Sequence, residues 1–159
     1  MKLTFSLLVA FLAAAPPSPA QSLLLVVRDT LNGSPLSAPS ASREGLAAAL
    51  FDGGLMVFDL PGGAPASADE LLKTAVGAEA DYVLEMIVDV SSIGSTAPRV
   101  AGRAAFTLRK TPGGELVLRD TVDRTNKDRE TSVNGQGLAR EIGGLVAKEI
   151  LGRLMPPSP

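Results

Sequence analysis

Two acidic residues, Glu85 and Asp89, are the best-placed pair of potential catalytic groups in this 159-residue chain. Paired carboxylates cleave glycosidic bonds when one protonates the leaving group and the other attacks the sugar or activates water. The pair lies in a segment whose alternation of polar and apolar residues predicts a β-strand. Along a strand their spacing corresponds to about 13 Å, beyond the useful separation of two such carboxylates. We therefore expect no glycosidase site here.

Other catalytic groups are scarce in the sequence. The chain has no histidine and no cysteine, which removes the commonest general base and the thiol nucleophile. A serine nucleophile would need a lysine or carboxylate base, yet neither a Gly-x-Ser-x-Gly nor a Ser-x-x-Lys motif occurs. We therefore expect that the protein is not an enzyme.

Two further motifs could bind ions. Oxygen ligands for calcium occur at Asp120, Asp123, Asn126, Asp128 and Glu130. Basic residues lie among them, and the glycine that a tight calcium loop requires is missing. The sequence Gly135-Gln136-Gly137 opens a predicted helix, but it lacks the full glycine-rich fingerprint of a nucleotide site. The sequence thus predicts no catalytic, cofactor-binding or metal-binding residues and no cofactor.

The charged residues of three successive predicted strands form a candidate docking face. Alternation over Tyr82–Val90, 100–109 and 116–123 predicts an antiparallel meander with one apolar face. Its polar face carries Glu85, Asp89, Arg103, Arg109, Arg119 and Asp123. Opposite charges on adjacent strands help to fix their register. The same face could be merely solvated, or it could dock a partner protein.

The elements before and after this meander complete the fold. The sequence predicts a strand over Leu23–Val27 that is buried on both faces, a turn at Asn32-Gly33, helices over 42–52 and from Ser67, a strand over 55–60, and a closing helix over 137–155. Ser67 and Glu70 have the spacing of a capping box. Gly143 and Gly144 weaken the closing helix, which indicates close packing on the sheet.

The resulting order, β-α-β-α-β-β-β-α, predicts an α/β (α+β) fold. We expect a mixed sheet of about five strands with the helices packed on one face. Right-handed crossovers can place the strands of the first two β-α units side by side in parallel.

The first twenty residues predict export. A basic start is followed by the apolar run 3–15, then by prolines, and small residues precede a candidate cleavage site at Ala20–Gln21. The run of about 13 residues is shorter than the roughly 20 that a membrane-spanning helix needs. We expect a secretory signal at 1–20, a single globular domain at 21–159, and a periplasmic or extracellular location. A retained leader that acts as an anchor is the alternative.

Two expectations follow from composition. Bacterial lipoproteins carry a cysteine directly after the cleavage site, where this chain has Gln21, so no lipid anchor is expected. A formal net charge of −2 gives no electrostatic footprint for nucleic acid.

One segment, Gly77-Ala78-Glu79-Ala80-Asp81-Tyr82-Val83-Leu84, resembles the entry to the central strand of a group of bacterial envelope domains. The group comprises the periplasmic domain of CsgG-like curli-assembly proteins, penicillin-binding-protein activators, flagellar T-ring proteins and the amino-terminal domain of TolB. Residues 55–59, 99–123 and 138–154 resemble the second strand, hairpin and closing helix of these domains in order. The resemblance implies a small adaptor that binds other envelope proteins, and it implies no ligand residues.

Together these observations predict a secreted, non-catalytic domain that acts through protein contacts in envelope or appendage assembly. Its expected partners are envelope proteins, and a homo-oligomer is possible. The alternative is a periplasmic module that binds a small molecule or a glycan. Such a module needs a pocket with converging polar groups.

Overall fold

The apolar run after Gln21 forms a central strand of the sheet in the computed structural model. The structure describes residues 21–35, 40–60, 67–93, 99–125 and 135–155. Its elements are β1 (Ser22–Leu31), β2 (Ser34–Pro35), α1 (Ala41–Asp52), β3 (Met56–Asp59), α2 (Ala68–Gly77), β4 (Tyr82–Ile93), β5 (Arg99–Lys110), β6 (Glu115–Thr125) and α3 (Gly135–Leu154). The predicted leader at 1–20 lies outside the described residues.

These strands form one six-stranded mixed sheet, in which β1, β4, β5 and β6 follow each other in order. On its other side β1 pairs in parallel with β3 and, at its end, antiparallel with β2. β1 and β4 are parallel, whereas β4, β5 and β6 form the expected antiparallel meander. The predicted fold class is confirmed, and the two-residue strand β2 is the addition.

Helices cover both faces of the sheet, whereas the sequence had predicted them on one. The larger core places Leu23, Leu84 and Phe106 against α1 and α3. The smaller core places Leu24 and Val26 on the opposite face, together with Leu71, Ala75, Ala80 and Val83. Because β1 is apolar on both faces, α2 packs on the second face and removes that surface from water.

Helices α1 and α3 cross at two glycines. A methyl group at Gly143 would overlap the carbonyl oxygen of Ser42 and lie 2.8 Å from the backbone nitrogen of Leu46. A methyl group at Gly45 would likewise overlap the carbonyl oxygen of Arg140. Gly143 therefore packs against α1 rather than against the sheet, and Gly144 has no atom within 4 Å of such a methyl group. The expectation that both glycines pack on the sheet is corrected.

Capping and turn residues determine where α2 begins and where β1 turns into β2. Ser67 caps α2 by accepting a hydrogen bond from the backbone N–H of Glu70, as the capping box predicts. Asn32 and Gly33 have φ values of 49° and 77°, the left-handed conformation that a two-residue hairpin turn requires. Within the described residues, no helix has the length and hydropathy needed to span a bilayer.

A β-bulge reverses the side of the sheet on which Leu116, predicted on the apolar face, lies. The register between β5 and β6 shifts at Leu108/Arg109, so that Leu116 lies opposite Arg109. The extra residue moves Leu116 to the other side of the sheet, where its side chain is 49% exposed. The predicted alignment of Leu116 with Leu118 and Val122 on one face is therefore wrong.

Candidate functional site

All six residues of the predicted docking face lie on the same side of the sheet. This side is opposite α1 and α3, and among the described elements α2 covers only its end near Val83. We call the uncovered part the open face. It comprises Arg28, Glu85, Ile87, Asp89, Arg103, Ala105, Thr107, Arg119, Thr121 and Asp123. The period of two thus predicted correctly that these six residues share a side, although it misplaced Leu116.

One row across the open face joins Asp89, Arg103 and Asp123. The guanidinium Nε of Arg103 lies 2.9 Å from Oδ1 of Asp123, and both side chains are more than 60% exposed. Oδ1 of Asp89 instead accepts hydrogen bonds from the hydroxyl of Thr30 at 2.5 Å and from the backbone N–H of Gly33 at 3.1 Å. Asp89 therefore holds the β1–β2 hairpin, and it is less available to a partner than the sequence suggested.

A second row contains Glu85, Thr107 and Arg119. Glu85 and Arg119 lie on strands separated by β5, which places their Cα atoms about 10 Å apart. Across the described ranges neither side chain forms an ion pair. They are two charged groups of the predicted set whose charge is not already engaged.

Arg109 lies at the end of the sheet near α2 and outside the open face. Its guanidinium donates a hydrogen bond to the carbonyl oxygen of Gly114 at 3.2 Å, and its Nε is buried with no hydrogen-bond partner in the described part of the chain. The side chain therefore folds back over the β5–β6 connection. This arrangement assigns Arg109 to the hairpin.

A shallow concavity of about 380 Å³ occupies the middle of the open face. It is lined by Val26, Arg28, Glu85, Met86, Ile87, Ala105, Phe106, Thr107, Arg119, Asp120 and Thr121. Two of these were missed by the sequence reasoning: Arg28 is exposed, and the Ile87 side chain is 50% exposed. The sequence did carry a signal for Ile87, because it is an apolar residue among the polar positions of its strand. The concavity thus combines unpaired charges with an exposed aliphatic side chain.

A buried acidic residue elsewhere is explained by helix capping. Asp29 lies in β1, is 7% exposed, and contacts the first residues of α1. Its carboxylate accepts hydrogen bonds from the hydroxyl of Ser40 at 2.8 Å and from the hydroxyl of Ser42. A carboxylate is stabilised at a helix N-terminus by unpaired N–H groups and by the helix dipole. The cluster is therefore part of the structural framework of α1.

Comparisons with known proteins establish the fold. No protein-family model and no curated protein sequence matches the chain. Among solved structures, a PelC dodecamer from Paraburkholderia phytofirmans has 17% identity and a TM-score of 0.59 over 80% of this chain and 89% of that one. Lipoprotein GNA1162 from Neisseria meningitidis has 17% identity and a TM-score of 0.52 over 83% and 98%.

The hypothetical protein CT253 from Chlamydia trachomatis has 8% identity and a TM-score of 0.59 over 87% of this chain and 100% of that one. Identities this low show a shared architecture rather than a shared activity. These structures share the mixed α/β architecture that the sequence predicted. The finer resemblance to curli-assembly, flagellar and TolB domains stays a prediction.

Proposed function

We propose that this chain is a non-catalytic protein of the bacterial cell envelope that binds other proteins through its open face. The observation that carries the proposal is the unequal covering of the sheet. Two helices cover one face completely enough that Leu84 and Phe106 are at most 2% exposed, whereas the opposite face leaves Ile87 half exposed. An exposed sheet face that combines an aliphatic residue with unpaired charges suits a protein interface with an apolar centre and a polar rim.

The location in the envelope is supported by two independent indications. Residues 1–20 have the pattern of an export signal. The fold is shared with the lipoprotein GNA1162 from Neisseria meningitidis. The absence of a lipid anchor stays a prediction, because it rests only on the lack of cysteine in this sequence while a lipoprotein shares the fold.

The non-catalytic part of the proposal rests on the chemistry available at the open face. The side chains there are arginine, carboxylate, threonine and aliphatic groups, and the chain offers no histidine as a general base. Arg103 and Asp123 neutralise each other, and Asp89 is engaged by the β1–β2 hairpin. This arrangement suits recognition better than bond cleavage.

Capture from an envelope extract tests the proposal. The immobilised protein is compared with Arg103→Glu/Arg119→Glu, which reverses two charges on the open face. The matched control is Arg43→Glu/Arg140→Glu, which reverses two arginines of exposed ion pairs on the helical side. We expect proteins that are captured by the wild type and the control but lost with the open-face variant. Equal capture by all three, with the fold intact by circular dichroism, contradicts docking at this face.

A small-molecule or glycan module is the second candidate, and the concavity is the observation that favours it. Its volume of about 380 Å³ lies within the range of ligand pockets. A rise in melting temperature with a ligand library, abolished by Ile87→Asp, would support this function. A library without effect, together with specific protein capture, would favour the first proposal.

A further inference from the structure

The outer edge of β6 is long and has no strand partner among the described residues. β6 has 11 residues, pairs with β5 on one side, and is the last strand of the sheet in the described part of the chain. Alternate residues of an antiparallel strand point their N–H and C=O groups away from the paired neighbour. The opposite edge of the sheet is formed by strands of only two and four residues. β6 is therefore the edge best suited to strand addition.

We propose that two copies of this chain pair antiparallel along their β6 strands, around a two-fold axis at Thr121. In this register Arg119 lies opposite Asp123 of the second copy, and each such pair occurs twice. Arg119 has no ion pair within its own described chain, and Asp123 is 64% exposed beside Arg103. The added pair extends an existing row of alternating charge, since Asp123 then lies between two arginines.

Neighbouring registers are less favourable. An axis at Asp120 places the Asp120 carboxylates of the two copies directly opposite each other, which is repulsive. An axis at Val122 leaves Arg119 without an acidic partner. That register pairs Asp120 with Arg124, which already binds Glu141 at 2.8 Å, just as Asp123 already binds Arg103. The Thr121 register differs in that it also engages Arg119. Charged side chains on an edge strand usually oppose pairing, but of these three registers the one around Thr121 gives Arg119 an acidic partner.

This dimer extends the proposed function without depending on it. A two-fold axis perpendicular to the sheet keeps both open faces on the same side. The two copies then present one continuous surface with two docking sites, so that a partner with two binding segments would be held more tightly than by one copy. Pairing through exposed ions also makes the dimer sensitive to salt.

Cross-linking of the full chain tests the register directly, because the sequence contains no cysteine. Directly opposed Cα atoms in an antiparallel pair are about 4.5–5.5 Å apart, within the range of a disulfide. Under mild oxidation, Thr121→Cys should form a covalent dimer at least tenfold faster than Ala105→Cys. Ala105 is the control because it is exposed and lies opposite Thr121 on β5, one strand further from the proposed interface. Its counterpart in the second copy would be about 14 Å away. Equal rates for the two variants overturn the proposal.

Sedimentation velocity at low salt provides a second test. Arg119→Asp and Asp123→Arg should each be monomeric alone, because each places like charges opposite each other. An equimolar mixture restores both ion pairs between unlike chains, so it should sediment as a dimer. Retention of the wild-type dimer by either variant alone overturns this register. Both tests use pure protein, so failed envelope capture with intact cross-linking would overturn only the proposed function.

Discussion

Asp81 shows how a residue that resembles a family motif can have a structural role. Its Oδ2 accepts hydrogen bonds from the backbone N–H and from the hydroxyl of Ser22, both at 2.9 Å. The N–H of Asp81 in turn donates to the carbonyl oxygen of Ser22 at 3.1 Å. Asp81 therefore fixes the start of β4 against the start of β1, and it stabilises the register of the sheet.

Replacing this carboxylate should cost stability. We expect Asp81→Ala to lower the free energy of unfolding by about 1–2 kcal/mol, because two donors of Ser22 lose their acceptor. The matched control Asp123→Ala removes an exposed ion pair and should cost less than about 1 kcal/mol. Urea denaturation measures both changes. Equal stability of the two variants would show that the Ser22–Asp81 bonds do not fix the register.

The buried hydroxyl of Ser42 gives a second prediction at this scale. Ser42 is 0% exposed and donates to the Asp29 carboxylate. Ser42→Ala should destabilise the protein by about 1–3 kcal/mol, because a buried carboxylate loses a donor. In a double-mutant cycle with Asp29→Asn, we expect the two effects to be non-additive by at least about 0.5 kcal/mol. Simple additivity would contradict a direct contribution of this bond.

The elements of the meander were predictable from sequence, but their contacts with the helices were less so. The alternation over Tyr82–Val90 specified which residues face the core, because side chains on a strand alternate strictly. The apolar stripe of α2 could not show which face of the sheet it covers. The clue lay in β1, whose Leu24 and Val26 required a cover on the second face. The bulge that exposes Leu116 left no comparable pattern.

Two adjacent glycines of α3 should respond oppositely to the same substitution. Gly143→Ala places a methyl group against backbone atoms of α1 that cannot move independently. We expect a net loss of about 2 kcal/mol or more, because steric strain exceeds the gain in helix propensity. Gly144→Ala meets no neighbour within 4 Å and should gain about 1 kcal/mol. Melting temperatures that move in the same direction would contradict the close crossing of α1 and α3.

At the scale of the whole molecule, the sequence predicted the side of the sheet but not the availability of each charge. All six predicted residues share that side, yet Asp89 and Arg109 are engaged by neighbouring turns. These bonds depend on where the β1–β2 and β5–β6 connections fold, which strand periodicity does not specify. Arg28 and Ile87 were missed because they belong to strands interpreted mainly through their apolar neighbours.

The affinity of a captured partner for variants of the open face tests the central claim most directly. Binding to the wild type is compared with Arg103→Glu/Arg119→Glu and with Arg43→Glu/Arg140→Glu at one ionic strength. We predict that the open-face variant raises the Kd at least tenfold, about 1.4 kcal/mol, whereas the helical-side control stays within twofold. A Kd that is unchanged by the open-face variant, or raised equally by both, would contradict docking at the open face.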